Sequence, residues 1–331
     1  MVGIPSRRNA LIAGGCAVAL LIACVIVIGQ VNDSRGPAQA VREYVDLIAR
    51  GDATAANALV APGPDRAFLT DEVLAASQRI KVTEVIGHDS GVEPGQTAVA
   101  TVRYELPGRS YTTSLRVKRE PNSFGGLERW RVIDPLVVPV VVQTNVPTLD
   151  SGSLGAARIP VSGPRLNGFP QRRFLMYPAS YQLMGMTSKY VRALPNDMSV
   201  AHGQSMEMNP AAIGYQPEQE LSRLVTAKIN ELLARCFGTG AAPPADCPRY
   251  LRTYSEAATD FRLDRSPTIE RLQAYQTEYK ADGSTKPAIH FATAKGRFSF
   301  TDGRTRTQDF TIRGVVDISR DDAVTITFDD E

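Results

Sequence analysis

The stretch PAQAVREYVDLIARGDATAANALV, residues 37–60, sets the plan of the chain. Pro37 can open a helix, because the N–H it lacks is one the first turn leaves unbonded anyway. Val41, Tyr44, Val45 and Ile48 then recur at i, i+3, i+4 and i+7, which makes one apolar stripe. Gly51 ends that helix, and Asp52 can cap a second one through about Leu59. Thr70 can cap a third, with Leu69 and Leu74 spaced as a hydrophobic staple and Asp71 and Glu72 at its positive end.

Four strand-like runs follow, at 80–87, 97–106, 111–119 and 129–137. Their period is two: Ala98, Ala100, Val102 and Tyr104, then Tyr111, Thr113, Leu115 and Val117, with Thr101, Arg103, Arg116 and Lys118 on the other face. A helix followed by a long antiparallel meander predicts a curved sheet wrapped on that helix. The helix with its Gly51-Asp52 break and the closing strand ERWRVIDP (128–135) resemble the cone-shaped domains of the nuclear transport factor two-like superfamily (SnoaL-like, cystatin-like). Such domains are common in membrane-anchored envelope proteins of actinobacteria, and the resemblance covers about 37–137.

The resemblance implies a cone. In some relatives it also implies isomerase or cyclase chemistry by an Asp or His and a Tyr inside the cone, where burial raises a carboxyl into acid–base range. Tyr104, Tyr111, His88 and Asp134 are the residues such chemistry would use here. Their registers disagree, since Asp134 precedes Pro135 at a strand end and His88 sits at a strand exit before a turn. A tyrosine bonded to backbone is the commoner use of an inward phenol. Trp130, the only tryptophan, is expected to close the mouth of the cone.

Beyond residue 137 the character changes twice. Region 138–210 reads as a small β-rich module of short strands, among them 173–176, 180–184 and 198–202, punctuated by Gly, Pro and Ser. Arg158, Arg165, Arg172, Arg173, Lys189 and Arg192 stand there against Asp197 alone, which admits an anionic surface as partner but reads first as a solvated β surface. Met184, Met186, Tyr181 and Tyr190 read first as core filling and second as an adaptable interface. Region 211–331 predicts a second helix-plus-meander domain. Its helix starts at Pro217 with Glu218 and Glu220 in the first turn, carries Leu221, Leu224, Val225, Ile229, Leu232, Leu233 and Cys236 as its stripe, and stops at Gly238. Four strands are expected after it, at 268–278, 289–300, 307–319 and 323–329.

Upstream, residues 10–31 form an apolar run, ALIAGGCAVALLIACVIVIGQV. At about 1.5 Å per residue it reaches roughly 33 Å, enough to cross a bilayer core. Arg7 and Arg8 before it and Asp33 after it orient a nine-residue tail (1–9) to the cytoplasm and send the rest outward through a linker at 32–36. Leu21-Ile22-Ala23-Cys24 also has the form of a lipobox, which would leave a lipid anchor on Cys24, but the apolar residues 25–28 favour the span. Ser6-Arg7-Arg8 further resembles a twin-arginine export signal, with Ala10 and Ile12 departing from its pattern.

Cys16 and Cys24 lie in the apolar run, so Cys236 and Cys247 are the two thiols beyond it; an even pair in an exported domain reads as a disulfide. The 37 basic and 35 acidic side chains leave no field to draw in nucleic acid. No P-loop, dinucleotide fingerprint, nucleophile elbow or zinc spacing occurs, and the histidines, His88, His202 and His290, are far apart. No catalytic, cofactor-binding or metal-ligating residue is therefore assigned. The expected class is α+β: a transmembrane helix, a cone domain, a β-rich module and a second helix-plus-meander domain. The expected function is non-catalytic binding or scaffolding of a protein partner in the bacterial cell envelope. The alternative is an extracytoplasmic lipid- or small-ligand-binding protein, or a SnoaL-like isomerase.

Overall fold

The computed structural model describes residues 35–329 except 62, 64, 76, 88–91, 122–126, 164, 167–168, 204–209, 239–244, 257, 259 and 280–284. The chain divides into two compact units. The first holds everything described up to Pro139 together with Leu175–Tyr181 and Ser199–Gln204; the second holds Val140–Phe174, Gln182–Met198 and Ser205–Glu331.

In the first unit helix α1 (Pro37–Arg50) begins on its proline and ends where Gly51 adopts φ +89°, returning its N–H to the Ile48 carbonyl. That left-handed backbone costs a glycine nothing. Asp52 accepts the Ala55 N–H at 2.9 Å and so caps α2 (Ala53–Ala58); α3 (Asp71–Ala75) follows Thr70. Strand β1 (Ser77–Arg79) pairs antiparallel with residues 179–181. Strands β2 (Lys81–Gly87), β3 (Thr97–Leu106), β4 (Arg109–Glu120) and β5 (Arg129–Val132) form one antiparallel sheet in sequence order. Their alternation turns Ala100, Val102, Tyr104, Leu115, Val117 and Val132 into the core that takes up α1, whose Val41, Tyr44, Val45 and Ile48 are all 0% exposed. Burying each such aliphatic side chain is worth roughly 1.5–3 kcal/mol before entropy. β5 stops short of the run expected to 137, because Pro135 brings no N–H to a ladder.

The second unit is built from strands. β6 (Val138–Thr144) enters it at Val140; β7 (Ser151–Leu154) and β8 (Ala157–Pro160) form a hairpin turned at Gly155, which has φ +57°. Then come β9 (Arg165–Leu166), β10 (Phe169–Met176), β11 (Ala179–Gly185), β12 (Val191–Leu194), β13 (Asn196–Val200) and β14 (Ala211–Pro217). Residues 183–185 of β11 pair with β7, and a five-stranded sheet runs in the order β12-β14-β6-β10-β9, with β14 parallel to β6. Helix α4 (Gln219–Cys236) follows, with Glu218 at its N-cap position but making no side-chain cap bond; Pro217 closes β14 instead of opening the helix. The Cys236–Cys247 disulfide, Cα to Cα 5.7 Å, joins the end of α4 to the approach of α5 (Arg249–Glu256).

The C-terminal strands are bent. β15 (Phe261–Arg265) leads into β16 (Ile269–Tyr279), β17 (Thr285–Thr293) into β18 (Gly296–Thr301), and β19 (Thr305–Phe310) into β20 (Arg313–Ile318), with β21 (Val324–Phe328) last. One sheet reads β15-β18-β19 and the other β16-β17-β20-β21, so the same chain segments keep the same neighbours on both sides of a corner. At the corner Ala294 donates to the Thr268 carbonyl at 2.8 Å and Thr293 to the Ile312 carbonyl at 3.0 Å. Strands that change sheet through bends and bulges are how a sheet folds over a core. The expected runs 289–300 and 307–319 are thus each two strands.

The class expected from the sequence is corrected by these findings. Strands account for 49% and helices for 20%, so the fold is mostly β and not α+β. Among the five described helices only α1 and α4 exceed eight residues, while the stretch read as a small module contributes a large share of the strands. No helix among the described residues is long and apolar enough to cross a membrane, and the run 10–31 with Cys24 lies outside the described residues.

Candidate functional site

The residues that cone chemistry would use do not converge. Tyr104 and Tyr111 face each other across β3 and β4 with ring centroids 5.4 Å apart. The Tyr104 hydroxyl accepts the His202 N–H at 3.0 Å, and burial pushes its pKa up. It is a satisfied core phenol. Asp134 lies on the solvent side, where the Arg116 guanidinium reaches it at 2.5 and 2.9 Å and holds its carboxyl below the usual range. A carboxylate so paired is ionised and exposed, the opposite of a buried acid. His88 lies outside the described residues. Trp130 is half-buried, packs against the core and donates to Glu128 at 3.3 Å.

The first unit keeps a buried polar chain in its core. The Tyr44 hydroxyl accepts the Leu136 N–H at 2.9 Å and bonds the Tyr177 hydroxyl, which donates to Asn57 Oδ1 at 2.9 Å. Asn57 Nδ2 donates to the Leu69 carbonyl at 2.8 Å, and the Tyr181 hydroxyl donates to the Tyr177 carbonyl at 2.8 Å. Burial raises all three phenols, Tyr177 to about 12. Each member has its partners, so the network holds elements together.

The basic side chains expected as an anionic-partner surface are dispersed. Arg192 bonds Gln216 and Glu218, Arg172 lies 5.8 Å over the Phe174 ring and Lys189 4.7 Å over Tyr190; the Arg165 side chain is outside the described residues. Met186 accepts from Ser151 at 2.8 Å, half-buried like Met184.

The open features of the second unit flank β19. On one side α5 sets Tyr250 beside Phe310 and Tyr254 against Phe298 and Phe300, and both tyrosines line a hollow of about 320 Å³ with Phe310, Ile312, Gln308 and Asp329. Tyr250 donates to the Thr311 carbonyl at 3.0 Å, and burial raises its pKa. Behind this wall Phe237, Phe261, Phe298 and Phe310 pack with ring centroids 4.5–6.3 Å apart. The other side holds a polar hollow of about 510 Å³ lined by Lys295, Arg297, Thr307 and Asp309. There Arg297 bonds Asp309 at 2.8 Å and keeps its carboxyl below the usual range, while Lys295 makes no ion pair among the described residues.

Sequence reasoning missed Tyr250, Tyr254, Lys295 and Arg297 as the residues gathered about β19. The available signal was Tyr250, Leu251 and Tyr254 after Pro248, one short amphipathic helix. No group of three or more His, Cys, Asp or Glu residues is placed to hold a metal among the described residues. Comparison of the chain with protein-family models, with curated proteins and with solved structures finds no match.

Proposed function

We propose that this chain is a non-catalytic binding or scaffolding protein of the bacterial envelope, held at the membrane by residues 10–31 with both units outside. The observation that carries the non-catalytic part is the filled interior of the first unit. Val41, Tyr44, Val45 and Ile48 occupy the space in front of the sheet, and the inward phenols are satisfied by backbone and by one another. An acid or base needs a free polar group facing a cavity. Asp134, the one carboxyl in the expected set, is bonded to Arg116 at the surface.

The address rests on the length of the apolar run and on the Cys236–Cys247 disulfide, a bond that persists in oxidising compartments. The resemblance of 37–137 to domains of envelope proteins points the same way. Fractionation of cells producing the full chain tests it, with alkylation of thiols before and after reduction. The expected result is recovery with membranes and labelling of Cys236 and Cys247 only after reduction. Intact chain in the cytosol with both thiols open to alkylation would refute it.

A further inference from the structure

Strand β19 ends a sheet. It pairs with β18 through Thr305–Phe310 and with no strand on its other side among the described residues. Its continuation beyond the corner, β20, is covered on that side by β21 up to the Gly314–Phe328 pair. The place beside β19 is therefore the line along which the sheet already has a fourth strand. Thr305, Arg306, Thr307 and Gln308 are all exposed, so both faces of this edge reach solvent. Edges of this kind are a template for another chain unless something blunts them.

The two faces differ in chemistry. Cross-strand partners point the same way. Gln308 stands opposite buried Phe298 and Phe310 opposite Gly296, which puts Gln308 and Phe310 on the aromatic face; Thr307 opposite Ser299 and Asp309 opposite Arg297 lie on the other. Residues 308–311 line both hollows and form the wall between them. An extended chain laid along this edge would send successive side chains alternately into the apolar and the basic hollow.

We propose that the outer edge of β19 takes an extended segment of an envelope partner as an added strand, with an apolar side chain against Tyr250, Tyr254 and Phe310 and the neighbouring carboxylate against Lys295. This rests on the binding role proposed above and supplies its partner chemistry. Charge selects the acidic neighbour: Arg297, Arg265 and Lys295 share the one carboxylate of Asp309, with Arg297 bonded to it at 2.8 Å and Lys295 outside ion-pair distance, so a second carboxylate beside Lys295 is favoured. Main-chain bonds give such a complex its affinity, and the alternating hollows its selectivity.

The test uses the detergent-solubilised full chain and the fluorescein-labelled peptide TVEFEVET, which alternates apolar and acidic side chains. Saturable binding by anisotropy is expected, with slowed amide exchange at residues 305–310. Exchanging Glu for Lys in the peptide, or Lys295→Glu in the protein, is expected to weaken it by about tenfold or more. Proline in place of the central Phe is expected to abolish it, because the ladder loses a donor. Lys295 is exposed, so an unchanged thermal midpoint separates lost binding from lost fold; the peptide exchanges need no change in the protein. Binding that is absent, indifferent to charge, or without protection at 305–310 overturns the proposal. So does protection that grows with protein concentration and doubled mass without peptide, since the edge would then belong to a second copy. The readout is on purified protein, so a chain found in the cytosol would remove the envelope reading, and with it the partner's address, and leave the strand addition at β19 standing.

Discussion

The hydroxyl of Tyr44, in the middle of α1, accepts the backbone N–H of Leu136 at 2.9 Å across 92 positions of sequence. Both residues are fully buried. The bond ties the opening helix to the segment that leaves the closing strand of its sheet, and the phenol's own O–H donates toward Tyr177.

Tyr44→Phe keeps the ring and deletes the acceptor. The Leu136 N–H is then left without a partner in a dry core, a loss of about 1–3 kcal/mol. Denaturant unfolding is expected to show a lower midpoint with an unchanged slope. Tyr111→Phe, on a ring that is only half-buried, is the comparison and is expected to cost less.

Alkali reads the same network. Burial raises Tyr44, Tyr177 and Tyr181, with Tyr177 moving from 10.0 to about 12. Below pH 10 all three are neutral in folded and unfolded chain alike, and the stability they contribute is fully present. Above it the unfolded chain releases protons first, so stability falls as pH rises from about 10 toward 12. Denaturant midpoints across the alkaline range are expected to drop, and to drop less steeply in Tyr177→Phe. A midpoint flat through that window would mean that the phenols are hydrated.

Much of this architecture was legible in the sequence as faces, and little of it as partners. The stripe of α1 and the alternation of β3 and β4 name their buried residues correctly, because period reports which side is covered. The same signal hides the corner. Phe310, Ile312, Gly314, Val316 and Ile318 alternate inward without a break, yet the ladder changes sheet between Phe310 and Arg313. Helix α5 is eight residues long with Tyr and Thr among them, too short to announce itself by propensity. The open edge of β19 depends on which strands pair, and Tyr250 meets Phe310 across 60 positions; neither is a local property.

Cys236 and Cys247 are both buried, and their bond closes a loop whose sequence separation is 11. In the chain-entropy account a loop of that size stabilises by about 3 kcal/mol. Reduction, or the double change Cys236→Ser and Cys247→Ser, is expected to lower the unfolding midpoint of the second unit while Trp130 fluorescence, which reports the first unit, keeps its own transition. A common shift of both transitions would show that the units unfold together.

Gly314 supplies the last prediction. It sits in β20 between Phe291 on β17 and Phe328 on β21, and those two rings meet edge to face over it at 5.9 Å. Aromatic side chains covering a strand glycine replace the contacts it cannot make. A Cβ at this position would press on the Thr327 carbonyl oxygen and come within 2.8 Å of the Phe291 ring. The ring can turn, but the carbonyl is backbone in a paired strand and cannot move without breaking the ladder. Gly314→Ala is therefore expected to destabilise by about 1–3 kcal/mol, although alanine is ordinarily the better residue in a regular element. Phe291→Leu in the same chain relieves the ring and not the carbonyl, so a double-mutant cycle is expected to recover only part of the loss. Full recovery would place the crowding in the side chain, and a neutral Gly314→Ala would mean that β20 and β21 lie farther apart than the pairing at Phe328 requires.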